Sequence, residues 1–351
     1  MASALVVGGT GFVGRHAVAD LLEHGYDVTA FSRRRRDSSD SWDAVTHVEV
    51  DRTDAEAFRA AVHRTDPDVV LDCALFHPDH ARSAVETFAD VDAYVYVSSG
   101  GVYARDDVPK RESVTPLHSF SSDHADDDTM ASYGPRKAEC DRIVTRAAED
   151  GVAATSVRPT MVYGPKSLDG LAGSASGSVS WAPDRPGIQN HHEYWIHRVD
   201  EYDRVVVPGD GTAIWHRVYV EDVASALRIV AEEGAPGEAY NVADRLVLTM
   251  EDVVALVAET LDTSVEVVHA SRRELEAVGL TPDDFVLYHH LGRNYPHVLS
   301  TCKLAALGWD STPVEVAMER TVEDALASDR DGKAFDPGRA AEERFLDSIA
   351  E

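Results

Sequence analysis

The chain predicts an α/β protein, a doubly wound parallel sheet with a smaller, discontinuous C-terminal unit, and three observations predict it. Short apolar runs alternate with amphipathic helical stretches through the first 160 residues, as a parallel sheet with crossover helices requires. A glycine-rich turn joins the first run to the first helix. After residue 165 the alternation breaks, then returns briefly at 216–232 and 238–242 as a helix flanked by strands.

Ala4-Leu5-Val6-Val7 suits a buried strand, and it runs into Gly8-Gly9-Thr10-Gly11-Phe12-Val13-Gly14. From Phe12 to His24, Val13, Ala17, Val18, Leu21 and Leu22 recur at helical spacing. Strand, glycine loop and helix in that order form a Rossmann-type dinucleotide fingerprint. Gly8 lets the chain turn, Gly11 admits a pyrophosphate to the backbone, and Gly14 lets the helix close on the strand. The helix amino terminus then offers N–H groups to phosphate. Gly8, Thr10, Gly11, Phe12, Val13 and Gly14 are therefore the candidate cofactor contacts.

The second strand is expected over Asp27–Ser32, the third over Val45–Val50, and a helix over Asp54–Arg64. Val69–Ala74 is the fourth strand, with Ala74 and Leu75 lining the cofactor cleft; Asp79–Ala89 is a helix and Ala93–Val97 the fifth strand. An acidic loop, Ser121–Thr129, leads into a helix over Tyr133–Glu149, and Ala153–Arg158 is the sixth strand. Residues 168–190 are rich in Gly, Ser and Pro, with Trp181 and Trp195 nearby, and are assigned to a substrate lid. Thr249 caps a helix over Met250–Leu261. The expected division is 1–165 with 214–244 returning to it, then 166–213 with 245–330 for substrate, then a loose, charged peripheral tail at 331–351.

Tyr133 and Lys137 stand four apart and share a helix face. A tyrosine hydroxyl titrates near 10, and the lysine, helped by the positive nicotinamide of an oxidised cofactor, is expected to favour the phenolate. Bringing it near 7 needs about 4 kcal/mol of differential interaction. The expected product is a general acid/base for a secondary alcohol. Ser98-Ser99 ends the fifth strand, where open parallel sheets bind ligands, and Ser99 can hold the substrate oxygen.

As an ordered set, the glycine turn, Val97-Ser98-Ser99, Tyr133-Gly134-Pro135-Arg136-Lys137, Arg158-Pro159-Thr160-Met161-Val162-Tyr163-Gly164-Pro165, Val218-Tyr219-Val220-Glu221-Asp222-Val223-Ala224 and Leu307-Gly308-Trp309 carry a resemblance. The chain resembles the extended short-chain dehydrogenases/reductases, the NAD-dependent epimerase/dehydratase superfamily. The resemblance implies Ser99, Tyr133 and Lys137 as the catalytic trio, Pro159 beside the nicotinamide, and Asp51-Arg52 by the adenine. Two departures narrow the reaction. Gly100-Gly101 stands where the resembling dehydratases place an acidic pair, which argues against a 4,6-dehydratase. Trp215 stands where the family often grips a nucleotide diphosphate with arginine, leaving Arg217 as the substitute. The short 74–98 segment and Tyr194-Trp195-Ile196-His197-Arg198 are similar to a divergent branch near isoflavone-reductase-like and chloroplast stem-loop-binding-like proteins. Candidate substrate contacts are His77, Tyr194, Trp195, Arg198 and Arg217.

After the second strand come Ser32-Arg33-Arg34-Arg35-Arg36, with no carboxylate before Asp37. An NAD site usually ends that strand in a carboxylate for the ribose 2′-OH. A hydroxyl and a guanidinium suit a 2′-phosphate, so NADP(H) is favoured over NAD(H), with Ser32 and Arg33 as contacts. Three functions stay open: an NAD(P)-dependent oxidoreductase acting on a secondary alcohol or carbonyl of a small or sugar-like substrate; a nucleotide-sugar epimerase with tightly bound NAD; and a non-catalytic dinucleotide sensor or RNA-binding relative.

Cys73, Cys140 and Cys302 are odd in number and far apart, as free thiols of a reducing compartment are. The histidines lack metal-ligand spacing, so no metal is expected. No leader and no membrane-length apolar run are expected, which points to the cytoplasm. The helices at 79–89 and 133–149 are the expected homodimer contact in such a family. Net charge is −29, with 38 Asp and 24 Glu against 28 Arg and 5 Lys. Such a surface repels nucleic acid and anionic membrane, leaving a small molecule as the partner. Excess acid with scarce lysine reads as a halophilic composition, because self-repulsion is screened once the Debye length falls to about 3 Å at 1 M salt. The thermal midpoint is therefore expected to rise between about 0.1 and 1 M KCl; a midpoint indifferent to KCl would remove the halophilic reading.

Overall fold

The computed structural model of the chain describes residues 1–33, 44–125, 127–166, 191–285, 297–328 and 339–350. In the first half β1 (Ser3–Val7), α1 (Phe12–Glu23), β2 (Asp27–Ser32), β3 (Thr46–Glu49), α2 (Ala55–Thr65), β4 (Val69–Asp72), α3 (Pro78–Thr87), β5 (Ala93–Val97), α4 (Met130–Arg146) and β6 (Ala154–Pro159) follow one another. Then come β7 (Met161–Tyr163), α5 (His191–Glu201), β8 (Arg204–Pro208), β9 (Ile214–Trp215), β10 (Arg217–Tyr219), α6 (Val220–Glu233) and β11 (Ala239–Val242). The chain continues through β12 (Leu248–Thr249), α7 (Met250–Thr260), β13 (Glu266–Ala270), α8 (Arg272–Ala277), α9 (Cys302–Ala305), α10 (Val314–Leu326) and α11 (Arg339–Ala350).

Seven parallel strands form the central sheet in the order β3-β2-β1-β4-β5-β6-β11. The order reverses between β1 and β4, and ligands of open α/β sheets bind in the crevice beyond the strand tips at such a point. β4, β5 and β6 are buried along their whole length, because helices cover both faces. Ala17, Val18 and Leu21 of α1 and Val223, Leu227 and Val230 of α6 fill one face. Phe58, Ala81, Phe88, Cys140 and Val144 fill the other. The doubly wound parallel sheet that the alternation predicted is present.

Several boundaries differ from expectation. β4 stops at Asp72, two residues early, because the Asp72 carboxylate accepts Ala74 N–H and a two-pronged bond from Arg52, which turns the chain. α4 starts at Met130, three residues before Tyr133; Asp127 caps its entry by accepting from Thr129 N–H, Thr129 Oγ1 and Ser132 Oγ. Leu304 and Trp309, assigned by sequence to the smaller unit, are buried in the core beneath the sheet. The tail is not loose over α11. Phe345 and Leu346 are buried, and Glu342 is fully enclosed, accepting from Val206 N–H and pairing with Arg198 and Arg339. The lid at 168–190 with Trp181, and Arg34, Arg35 and Arg36, lie outside the described residues. Among the described residues no helix is long and apolar enough to cross a membrane, and no cluster could hold a metal.

Candidate active site

The glycine turn follows β1 at the reversal point. Gly8 has φ of +81°, and its N–H and that of Gly9 both donate to Phe31 O of β2. A Cβ on Gly14 would lie 2.2 Å from Gly8 O, so only glycine lets α1 come this close. Gly11 differs: its missing side chain would meet only Gly8 O, at 3.1 Å, and the residue is exposed. No side chain caps α1, so its first-turn N–H groups face the opening left by Gly11, with Thr10, Phe12 and Val13 partly exposed around it. A phosphate fits such a cradle. Ala74 closes the turn from the β4 side, its Cβ 3.0 Å from where a Gly8 side chain would stand.

Lys137 is buried. Its ammonium donates to Leu75 O (3.0 Å) just beyond β4 and to Val97 O (2.8 Å) at the end of β5. It also lies 4.4 Å from the Tyr96 ring centre and 4.9 Å from that of Phe76. Two carbonyls and two aromatic faces thus replace the water that the charge gave up. Burial still pulls its pKa down to about 8, against the opposing charges of Cys140, Asp72 and Asp141. Ser99 caps a short turn by accepting Gly101 N–H at 3.1 Å, and its hydroxyl is hydrogen-bonded to Tyr133. The strand-tip serine, the phenol and the amine therefore do come together.

Without a dinucleotide, the phenol's electrostatics differ from those expected with an oxidised nicotinamide beside it. Burial raises the Tyr133 pKa above its ordinary value; the Ser99 hydroxyl and the Arg136 charge oppose this and do not overcome it. The lysine does not supply the expected depression, because its ammonium is directed at main-chain carbonyls.

Supporting residues went unread in the sequence. A Cβ on Gly134 would lie 2.7 Å from Gly101 O, so glycine there lets α4 approach the turn after β5. One turn beyond Lys137, Asp141 takes Arg158 of β6 with both oxygens and also Ser156 Oγ. Burial alone would raise Asp141; the Arg158 guanidinium outweighs it and holds the carboxyl below its usual range. Arg158 also donates to Tyr103 OH (3.0 Å), and Tyr103 donates to Asn241 of β11 (2.6 Å). One buried ion pair so joins α4, β6, β11 and the turn bearing Ser99. A clue existed, an aspartate at i+4 from Lys137. A side chain on Gly100 would require His297 to move, since its Cβ would be 2.6 Å from His297 Nε2 and 3.2 Å from Pro159 O. Pro159 is buried beside this turn.

Several other expected contacts are engaged by the protein itself. The Arg52 guanidinium is committed to Asp72 and packs over Phe58, while Asp51 caps its own turn through Thr53. Ser32 Oγ is hydrogen-bonded to His47 Nε2 at 2.7 Å, and Arg33 is exposed at the end of β2. Tyr194 and Trp195 are core residues. Arg198 is fully buried against Glu342 under the rings of Tyr194, Trp195, Tyr202 and Phe285. Arg217 lies between the Tyr163 and Trp215 rings, 4.6 and 4.5 Å from their centres, and is bonded to His192 at 2.9 Å. Of the five expected substrate contacts only His77 stays near the trio, two residues beyond the carbonyl that holds Lys137.

Comparison with known proteins agrees with this architecture. The sequence profile of the NAD dependent epimerase/dehydratase family matches residues 4–243. The chain is similar to chloroplast stem-loop binding protein of 41 kDa b of Arabidopsis thaliana, 23% identical over 78% of this chain and 67% of that protein. It is also similar to the low-salt glycan biosynthesis protein Agl12 of Haloferax volcanii, 25% identical over 87% of this chain and 92% of that one. Among solved structures, UDP-glucose 4-epimerase of Thermus thermophilus in complex with NAD superposes with a TM-score of 0.66, at 23% identity, covering 93% of this chain and 99% of that one. At such identity the likeness speaks for the fold.

The raised Tyr133 pKa can be read directly. In the protein without dinucleotide, the tyrosinate absorbance difference between the parent and Tyr133→Phe is expected to show no step below about pH 10. A step near neutrality would overturn the burial argument.

Proposed function

The chain belongs to the NAD dependent epimerase/dehydratase family, and from that premise we propose that it transfers a hydride between a nicotinamide dinucleotide and a secondary alcohol or carbonyl of a small or sugar-like substrate. The observation that carries this reading is the meeting of Ser99, Tyr133 and Lys137 at the tips of β4 and β5, on the side of the sheet that holds the glycine cradle. Gly8, Gly11, Gly14 and the start of α1 would hold the pyrophosphate, since Gly11 is exposed and no side chain caps the first-turn N–H groups. When bound, the dinucleotide supplies or accepts the hydride. Ser99 orients the reacting oxygen and Tyr133 moves its proton. Lys137 holds α4 against both strand tips and sets the position of the phenol. Tyr133 keeps its proton at neutral pH in the free protein, which is the state from which reduction of a carbonyl begins. Oxidation requires that proton to be lost in the assembled complex, at a cost of about 1.4 kcal/mol for each pKa unit.

For the cofactor we favour NADP(H). Ser32 and Arg33 stand at the end of β2, and the sequence has no carboxylate after that strand before Asp37. The guanidinium suits a phosphate. The solved relative from Thermus thermophilus carries NAD, so a second reading, epimerisation on a tightly held NAD, is kept. The two separate on purification: freely exchanging NADPH supports the reductase, a stoichiometric non-exchanging dinucleotide the epimerase. The acidic surface disfavours nucleic acid as a partner.

Tyr133→Phe is expected to slow turnover by about 10² to 10⁴, the usual span for a positioned acid/base; a loss under about threefold would take the proton-transfer role from Tyr133. Arg33→Ala is expected to erase the preference for NADPH over NADH in dinucleotide binding measured by fluorescence quenching. An unchanged preference would move the 2′-phosphate site away from β2.

A further inference from the structure

A cation next to Tyr133 takes no part in the hydride chemistry. Arg136 precedes Lys137 on α4, and its side chain is 6% exposed. Its Nη1 donates to Asp128 Oδ1 and lies 3.3 Å from His77 Nε2, while its Nε has no partner. His77 Nε2 is 3.3 Å from the same Asp128 oxygen. His77 also stands at the amino end of α3, where no side chain caps the helix and Pro78 has no N–H to give. A guanidinium, an imidazole and the positive end of a helix dipole thus converge on one point.

The group found at that point is a carboxylate, and it comes from an unusual place. Asp128 belongs to the acidic loop before α4, and its side chain is 80% exposed. It makes no other hydrogen bond among the described residues, whereas its neighbour Asp127 is committed to the start of α4. One oxygen of Asp128 is within reach of both the guanidinium and the imidazole, and the guanidinium fork is left partly unused among the described residues. A free carboxylate can meet such a fork with both oxygens, which a short tethered side chain here does not. Asp128 itself is largely in water, so an external carboxylate can take its place while water takes up the displaced one.

We propose that Arg136 and His77 form a subsite for a carboxylate of the substrate, and that Asp128 is a tethered stand-in which the substrate displaces. This rests on the reading of Tyr133 as the acid/base, and it narrows the substrate class to hydroxy or oxo acids, sugar acids among them, whose carboxylate is close to the reacting carbon. Arg136 is three residues from Tyr133 on one helix, so the two stand on one face, within reach of one bound molecule.

The test uses the full chain and needs no turnover, so its outcome is separate from that of Tyr133→Phe. Malonate is titrated calorimetrically into the parent, Asp128→Asn, Arg136→Gln and His77→Asn. Asp128→Asn removes the competing charge and is expected to bind malonate about tenfold more tightly than the parent, the worth of one charge-assisted hydrogen bond. Arg136→Gln is expected to lose binding. His77→Asn, at a partly exposed position, is expected to bind several-fold more weakly, which keeps the test decisive if the buried Arg136 is needed for folding. If Asp128→Asn binds malonate no more tightly than the parent, the stand-in idea is overturned. A gain for inorganic phosphate without one for malonate overturns the carboxylate assignment.

Discussion

The site is organised by one buried ammonium. Lys137 Nζ joins Leu75 O to Val97 O, so a single side chain of α4 ties together the carbonyl ends of two adjacent parallel strands. A charge that has left water must be met on all sides. Here the two carbonyls meet it in the plane of the strand tips, and Phe76 and Tyr96 meet it from the aromatic faces. Because the lysine's geometry is fixed this way, the phenol four residues earlier is fixed with it, over the turn that begins at Ser99. The remaining requirements follow. Gly134 must be small for α4 to reach Gly101 O, and Asp141 must be answered by Arg158 because both sit out of water. Breaking such a buried pair by removing one partner typically costs about 3 to 5 kcal/mol, and here it would also free the turn that presents Ser99.

What was legible in the sequence was what local geometry dictates. Gly8, Gly11 and Gly14 have separate jobs that need no distant partner, and each has the conformation or clearance its job requires. The i, i+4 pair at Tyr133 and Lys137 and the strand-tip serine were likewise readable, because each depends on spacing within one element. Misreadings came where a side chain's partner lies far along the chain. Arg198 and the 194–195 aromatics looked like a binding motif, but Glu342, 144 residues away, claims the arginine and α11 seals it in. Arg52 looked like an adenine contact until Asp72, 20 residues on, took both ends of its guanidinium. The direction of the Tyr133 shift in the protein without dinucleotide was hidden for a related reason. Spacing puts a lysine on the right face, but spacing does not say where the ammonium points, nor how much water the phenol has lost.

The same distinction separates the two arginines of the cleft region. Arg217 stands beside Trp215, where an anion-gripping arginine was sought, yet it is 1% exposed and enclosed by the Tyr163 and Trp215 rings. His192 is stacked between the same rings, at 4.9 Å from each, and takes a hydrogen bond from Arg217. To reach a ligand, Arg217 would have to leave that slot and abandon His192, losing two cation–π contacts of roughly 2 kcal/mol each when desolvated. Arg136 faces no such barrier. Its counter-ion is carried by a solvent-exposed side chain. A cation held by an exposed carboxylate is available to a competing anion, whereas one held by aromatic rings is part of the wall. On that physical ground Arg136, and not Arg217, is the arginine proposed to meet a ligand's negative group.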